Sequence, residues 1–314
     1  MSKYRHRLPQ LGGRLFLTDG GLETTLIYHD GIALPAFAAF DLLKDEAGTE
    51  TLRRYYARYI AIARARGVGI VLESPTWRAS ADWGASLGYD AAALADANRR
   101  GIGLLLELRA ALETRQTPIV VSGNLGPRGD GYRAEARMDV AAARAYHAAQ
   151  ILTFAATDAD MVAALTMNYV EEAIGIAEAA REAALPVALS FTLETDGRLP
   201  AGDTLAEAIE RTDAATGGYP AYYMINCAHP EHFESVLRGD GAWRGRIRGL
   251  RANASRRSHA ELDASTQLDA GDPDELGRQY RALRALLPGL TVAGGCCGTD
   301  HRHVEAICRE LRAI

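Results

Sequence analysis

No run in this sequence approaches the ~18 consecutive apolar residues that a membrane helix requires. The opening MSKYRHRLPQ lacks the apolar stretch of a secretory signal, so a cytoplasmic location is the expectation. Basic excess is missing too: 35 Lys and Arg against 40 Asp and Glu leave a net charge of −5. A phosphate backbone needs a basic face, so nucleic acid is excluded as a partner. Four cysteines in 314 residues are too few for a disulfide scaffold, which makes them metal or catalytic candidates. Aromatic residues reach only 7%, and no Pro-, Gly- or Ser-rich linker divides the chain. One domain over residues 1–314 is therefore expected.

What is present is alternation. Short apolar and β-branched runs recur at 14–19, 68–73, 118–124, 160–166, 186–192, 221–227, 248–254 and 290–296. Nearly continuous apolar strands fit a parallel sheet covered on both faces. Helical patterns lie between them. Over 50–66, Leu52, Tyr55, Tyr56, Tyr59 and Ile60 share one face before Gly67 stops the helix. The last helix aligns Val304, Ile307, Cys308 and Leu311, which makes Cys308 a core residue. Eight such units predict an α/β fold, a (β/α)8 TIM barrel, with an open doubly wound sheet as the alternative. The longer loops mostly follow strands, where barrel enzymes keep their chemistry.

Cys227 ends the sixth predicted strand, and Cys296 and Cys297 end the eighth, so all three point to the same rim. Three thiolates suit zinc and leave a fourth position open, as in a catalytic site. Three thiolates on a divalent ion carry a net charge of −1, a poor Lewis acid for carbonyls. A thiol arriving there would still lose its proton and stay electron-rich. Such a site favours alkylation of sulfur. Two other readings of the pair stay open: small core hydrophobes, or a redox vicinal disulfide. Gly294, Gly295 and Gly298 beside it suit close backbone approach and a tight turn.

The motifs along almost the whole chain resemble the homocysteine S-methyltransferase family. They are DGGLETTL at 19–26, SGNLGP at 122–127, PVALSFT at 186–192, INC at 225–227 and GGCCGT at 294–299. The distant Cys and GGCC pair is the most specific of them. The resemblance implies a (β/α)8 barrel with Zn2+ held by Cys227, Cys296 and Cys297, and homocysteine bound through sulfur as methyl acceptor. Its partners would be a small-molecule thiol and a methyl donor. The chain has no room for a separate cobalamin module, so a small sulfonium or quaternary ammonium donor is implied.

Carried over by position, Asp19 would help hold the acceptor's ammonium, against the plainer role of capping a turn. Asn226 would orient substrate or simply satisfy backbone groups. Asn253 matches the asparagine of a YPN-like motif. Two stretches depart from the family. The fourth strand reads LTMNYVEEA, with Leu165 where a glutamate usually binds the ammonium; Glu23 in the first loop is the candidate replacement. The second reads ESPTWRAS, with Trp77 able to face a methyl cation and Arg78 added as a candidate anion contact, Glu73 being its expected partner. In RANASRRSHAELD, Arg251, Arg256, Arg257 and His259 are expected near the same rim, as a grip for an acidic donor tail or as a solvated face. A different thiol acceptor, or a zinc-holding binding protein of the same fold, is the alternative to homocysteine methylation.

Overall fold

A computed structural model describes residues 1–135 and 137–312. Eight strands run parallel in chain order and close on themselves. They are β1 (Phe16–Leu17), β2 (Gly69–Glu73), β3 (Ile119–Leu125), β4 (Met161–Met167), β5 (Val187–Phe191), β6 (Tyr222–Asn226), β7 (Ile247–Ala252) and β8 (Val292–Gly295). Closure comes from β1 against β8, with Phe16 opposite Val292 and Leu17 opposite Ala293. Closure leaves no edge strand exposed.

Each strand leads to a helix on the outside. These are α1 (Glu46–Arg66), α2 (Ala91–Leu112), α3 (Val140–Ala155), α4 (Val170–Glu182), α5 (Leu205–Thr216), α6 (Pro230–Leu237), α7 (Pro273–Leu286) and α8 (His301–Arg312). Among the described residues, no helix is long and apolar enough to cross a membrane. Local chemistry sets the helix ends. α1 begins at Glu46, ahead of the periodic stretch that starts at residue 50, because the Asp45 carboxylate caps it by accepting from the Gly48 amide at 2.8 Å. It stops at Gly67, whose φ of 60° is left-handed.

Two cores follow from the period of two along each strand. Met161, Ala163 and Leu165 of β4 face the barrel interior with Phe16, Val71, Val120 and Met224. Their neighbours Val162 and Ala164 face the helices, in the larger core that also takes Tyr55, Tyr56, Ile60 and Cys308. Leu8 and Tyr4 join the interior cluster near the strand N-termini. There the Tyr4 amide donates to Asp160 at 2.8 Å, and Arg109 pairs with the same carboxylate at 2.6 Å. The opposite, C-terminal rim is left for chemistry.

Candidate active site

Cys227 follows the last residue of β6, and Cys296 and Cys297 follow the last residue of β8. Their sulfurs all lie within 4.8 Å of one another. Cys227 Sγ and Cys297 Sγ are 4.0 Å apart. Zinc–sulfur bonds of about 2.3 Å in a tetrahedral array put ligand sulfurs about 3.8 Å apart, so the cluster fits such an ion with little movement. Three thiols this close cannot all ionise without a cation. Hydrogen bonds from Cys296 and Cys297 hold Cys227 well below the ordinary thiol value. The same contacts with Cys227 push the other two up, Cys296 to about 12.

Backbone geometry builds the cluster. Cys227 has a φ of 54° and Thr166, just before the end of β4, one of 65°. Left-handed conformations are costly for such residues and persist only where their surroundings enforce them. His259 supplies part of that enforcement, because its Nε2 meets the Cys227 carbonyl at 2.5 Å. Its Nδ1 lies 3.1 Å from Glu194. Desolvation would lower the His259 pKa, but the bonds to Glu194 and the carbonyl outweigh it and raise the value. With both nitrogens committed to acceptors, His259 is neither a free base nor a further metal ligand. At the other wall, a Cβ on Gly294 would run into the Thr18 hydroxyl, and Gly298 turns the chain with a φ of 78°.

The cysteines line a cavity of about 290 Å³. Asp19, Glu23, Trp77, Arg78 and Asn226 line it too, whereas Asn253 does not. Asn253 is buried, and its backbone N–H donates to the Ala228 carbonyl at 3.1 Å. Asn226 is used at both ends of its side chain. Its Oδ1 accepts from the Thr166 amide at 2.9 Å and from Ser190 Oγ at 2.6 Å, while Nδ2 donates to Thr166 Oγ1 at 2.9 Å. It therefore fixes the strand ends around the cysteines. Trp77 lines the cavity while its indole N–H donates to the Leu165 carbonyl at 3.3 Å.

Asp19 has company that the sequence did not reveal. Arg251 Nη2 lies 2.7 Å from Asp19 Oδ1, off the line of a good hydrogen bond but well within ion-pair distance. Its Nη1 pairs with Glu73. Tyr55 donates to the second Asp19 oxygen at 3.0 Å. Two buried carboxylates thus share one guanidinium. Burial pushes both acids upward, Glu73 to about 7, against the pull of Arg251. The expected Glu73–Arg78 pair does not form, because Glu73 points into the barrel while Arg78 lies on the turn after β2.

The expected basic grip disperses as well. Arg251 turns inward, Arg256 bridges Glu231 at 2.7 Å and Glu275 on the outside, and Arg257 is 3.8 Å from Asp269. Both outer arginines are about half exposed, at 50% and 52%, so they belong to a solvated face. Leu165 is 5% exposed and lines the cavity. No carboxylate replaces it on β4. Glu23 does reach the cavity, half-buried, with its acid pushed up to about 7 by desolvation, with Cys296 and Asp19 adding to the rise.

Among the cavity residues that escaped the sequence reading, two lie against the cysteine sulfurs. Tyr132 stacks on His259 with centroids 4.0 Å apart, and its hydroxyl is 3.7 Å from Cys297 Sγ. Thr166 Oγ1 is 3.9 Å from Cys227 Sγ. Thr166 sits beside Leu165 in a strand-end motif, which was a usable signal. Tyr132, in the long loop after β3, had none.

The homocysteine S-methyltransferase family model matches residues 16–311. No curated protein matches the chain by sequence. Among solved structures, the oxidised form of the homocysteine methyltransferase MmuM from Escherichia coli is 21% identical, with a TM-score of 0.74 over 93% of this chain and 94% of that one. Its metallated form is 20% identical, with a TM-score of 0.74 over 94% and 96%.

Proposed function

Because the chain belongs to the homocysteine S-methyltransferase family, and is a methyltransferase by that membership, we propose that it alkylates a thiol held beside Cys227, Cys296 and Cys297. Zinc is the metal proposed for the three sulfurs, and a small sulfonium or quaternary ammonium compound is the proposed donor. One observation carries the reading: the three sulfurs lie within 4.8 Å of one another on the wall of a cavity large enough for small ligands. Zinc bound there supplies the acidity that keeps an arriving thiol deprotonated at neutral pH, where a free thiol of pKa ~8.5 is mostly protonated.

The protein's own residues do the rest. The face of Trp77 that the Arg78 guanidinium does not cover attracts the methyl-bearing cation. Tyr132 and Thr166 direct hydroxyls at the cysteine sulfurs, and the His259–Glu194 pair anchors the Cys227 carbonyl. With donor and thiolate aligned, sulfur attacks the methyl carbon in line. A sulfur–carbon bond forms, the bond to the positive heteroatom breaks, and a neutral sulfide or amine leaves with the electron pair. The thiol's proton has already passed to solvent. Alignment and desolvation of opposite charges supply most of the acceleration.

Homocysteine is the first acceptor to test. A second reading, a different thiol, is favoured by Leu165 and by the tie between Asp19 and Arg251, which leave Glu23 as the candidate partner for an ammonium. The test is zinc-loaded protein incubated with sulfonium and betaine donors against a panel of thiols, products read by mass spectrometry. Methionine from homocysteine supports the first reading, and methylation of other thiols alone supports the second. Tight ligand binding without transfer from any pair would instead indicate a binding protein of this fold.

A further inference from the structure

Among the described residues, three arginines are buried: Arg78, Arg109 and Arg251, at 8%, 9% and 5% exposure. Removing a guanidinium from water is expensive unless a carboxylate accompanies it. Arg109 has Asp160, and Arg251 has Asp19 and Glu73. Among the described residues, Arg78 has no carboxylate within ion-pair distance. Its single hydrogen bond runs from Nη1 to the Gly129 carbonyl at 3.2 Å. Nε has no partner.

The guanidinium is nonetheless held in place. Its central carbon lies 4.1 Å from the ring centroid of Trp77 and 3.7 Å from that of Trp83. Indole faces orient a flat cation and strip it of water without neutralising it. With Nη1 committed to Gly129 and Nε enclosed, Nη2 is the donor that remains, and a charge-assisted hydrogen bond from it holds a carboxylate. Asp130 adds negative charge nearby, but it is solvent-exposed and its carboxylate accepts from the Tyr132 amide at 2.7 Å. Arg78 lines the same cavity as the three cysteines.

We propose that Arg78 is a subsite for the carboxylate of the ligand seated against Trp77, so that the pocket selects methyl cations bearing an acid group over those without one. The assignment of that ligand as methyl donor rests on the function proposed above; the subsite itself does not. The ion pair would complete a site whose cationic half is already built, and it would hold the methyl-bearing end away from the guanidinium and toward the sulfurs.

The test is calorimetric titration of the zinc-loaded protein with two acids, trimethylammonioacetate and 3-dimethylsulfoniopropionate. Their acid-free counterparts are tetramethylammonium and trimethylsulfonium. The wild type should bind the acids about ten- to a hundredfold more tightly. Arg78→Gln should abolish the preference, and Arg78→Lys should keep part of it. Thermal unfolding checks that both variants are folded, and the wild-type comparison stands even where one is not. Equal affinity for acids and counterparts in the wild type, no measurable binding of either acid, or an unchanged preference in folded Arg78→Gln would each overturn the subsite. Methyl transfer is measured separately. Discrimination without transfer refutes the donor assignment and leaves the subsite; transfer without discrimination does the reverse.

Discussion

A guanidinium inside a barrel is tolerable only in company, and Arg251 keeps Asp19 and Glu73 as its company. Replacing it with Met leaves two carboxylates buried together without a counter-charge. Arg251→Met should therefore lose about 3–5 kcal/mol of stability, read as a fall in the denaturant midpoint. A loss under 1 kcal/mol would mean that one acid is already protonated and the pair is dispensable. Glu23 makes a prediction of another kind. Its carboxylate reaches the cavity from the turn after β1, and on the proposed reading it holds an acceptor's ammonium. Glu23→Gln should raise KM about tenfold for an amine-bearing thiol and leave KM unchanged for the same thiol without its amine. Equal effects on both would assign Glu23 to the cavity's general field.

Helix ends carry the next scale. α8 follows the Cys296–Cys297 turn closely, and Asp300 immediately precedes it, accepting from the Arg302 backbone N–H at 2.9 Å and meeting His303 Nδ1 at 3.2 Å. Burial alone would raise its pKa, but bonds with His303 and Arg302 outweigh that and hold the acid well below the ordinary carboxylate range. A depressed carboxylate contributes stability above its unfolded pKa of 3.8 and loses it as pH falls toward the folded value. Asp300→Asn should thus cost about 1 kcal/mol at pH 7, and the gap to wild type should shrink below about pH 4. Chemical denaturation at both pH values checks this, and a gap constant with pH would contradict it. Elements were the most legible level of the sequence. Each predicted strand run contains an observed strand or overlaps it closely, because short, nearly continuous apolar runs between helical patterns fix strand position. The start of α1 was missed since its cap, Asp45, lies outside the periodic stretch. The packing of Tyr4 and Leu8 under the barrel had no periodicity to announce it.

At the scale of the whole molecule, closure of the barrel joins residues far apart in the chain. The convergence of Cys227 with Cys296 and Cys297 was legible because all three end strands, and strand ends of a parallel barrel share a rim. The partners of Glu73 were not. Proximity in sequence suggested Arg78, whereas the barrel delivers Arg251 from β7 across the interior. Arg256 and Arg257 looked like a grip for the same reason in reverse: neighbours in sequence, they diverge to separate surface acids. Charge pairing inside a closed sheet depends on which side chains point inward at one height, and a linear pattern carries little of that.

Metal content is the most direct check on the three-sulfur centre. Native mass spectrometry, with elemental analysis of the same sample, should find one zinc per chain in the wild type and none retained by folded Cys227→Ala. A wild-type chain carrying no stoichiometric zinc after exposure to it, or a Cys227→Ala chain that holds zinc equally well, would contradict the account.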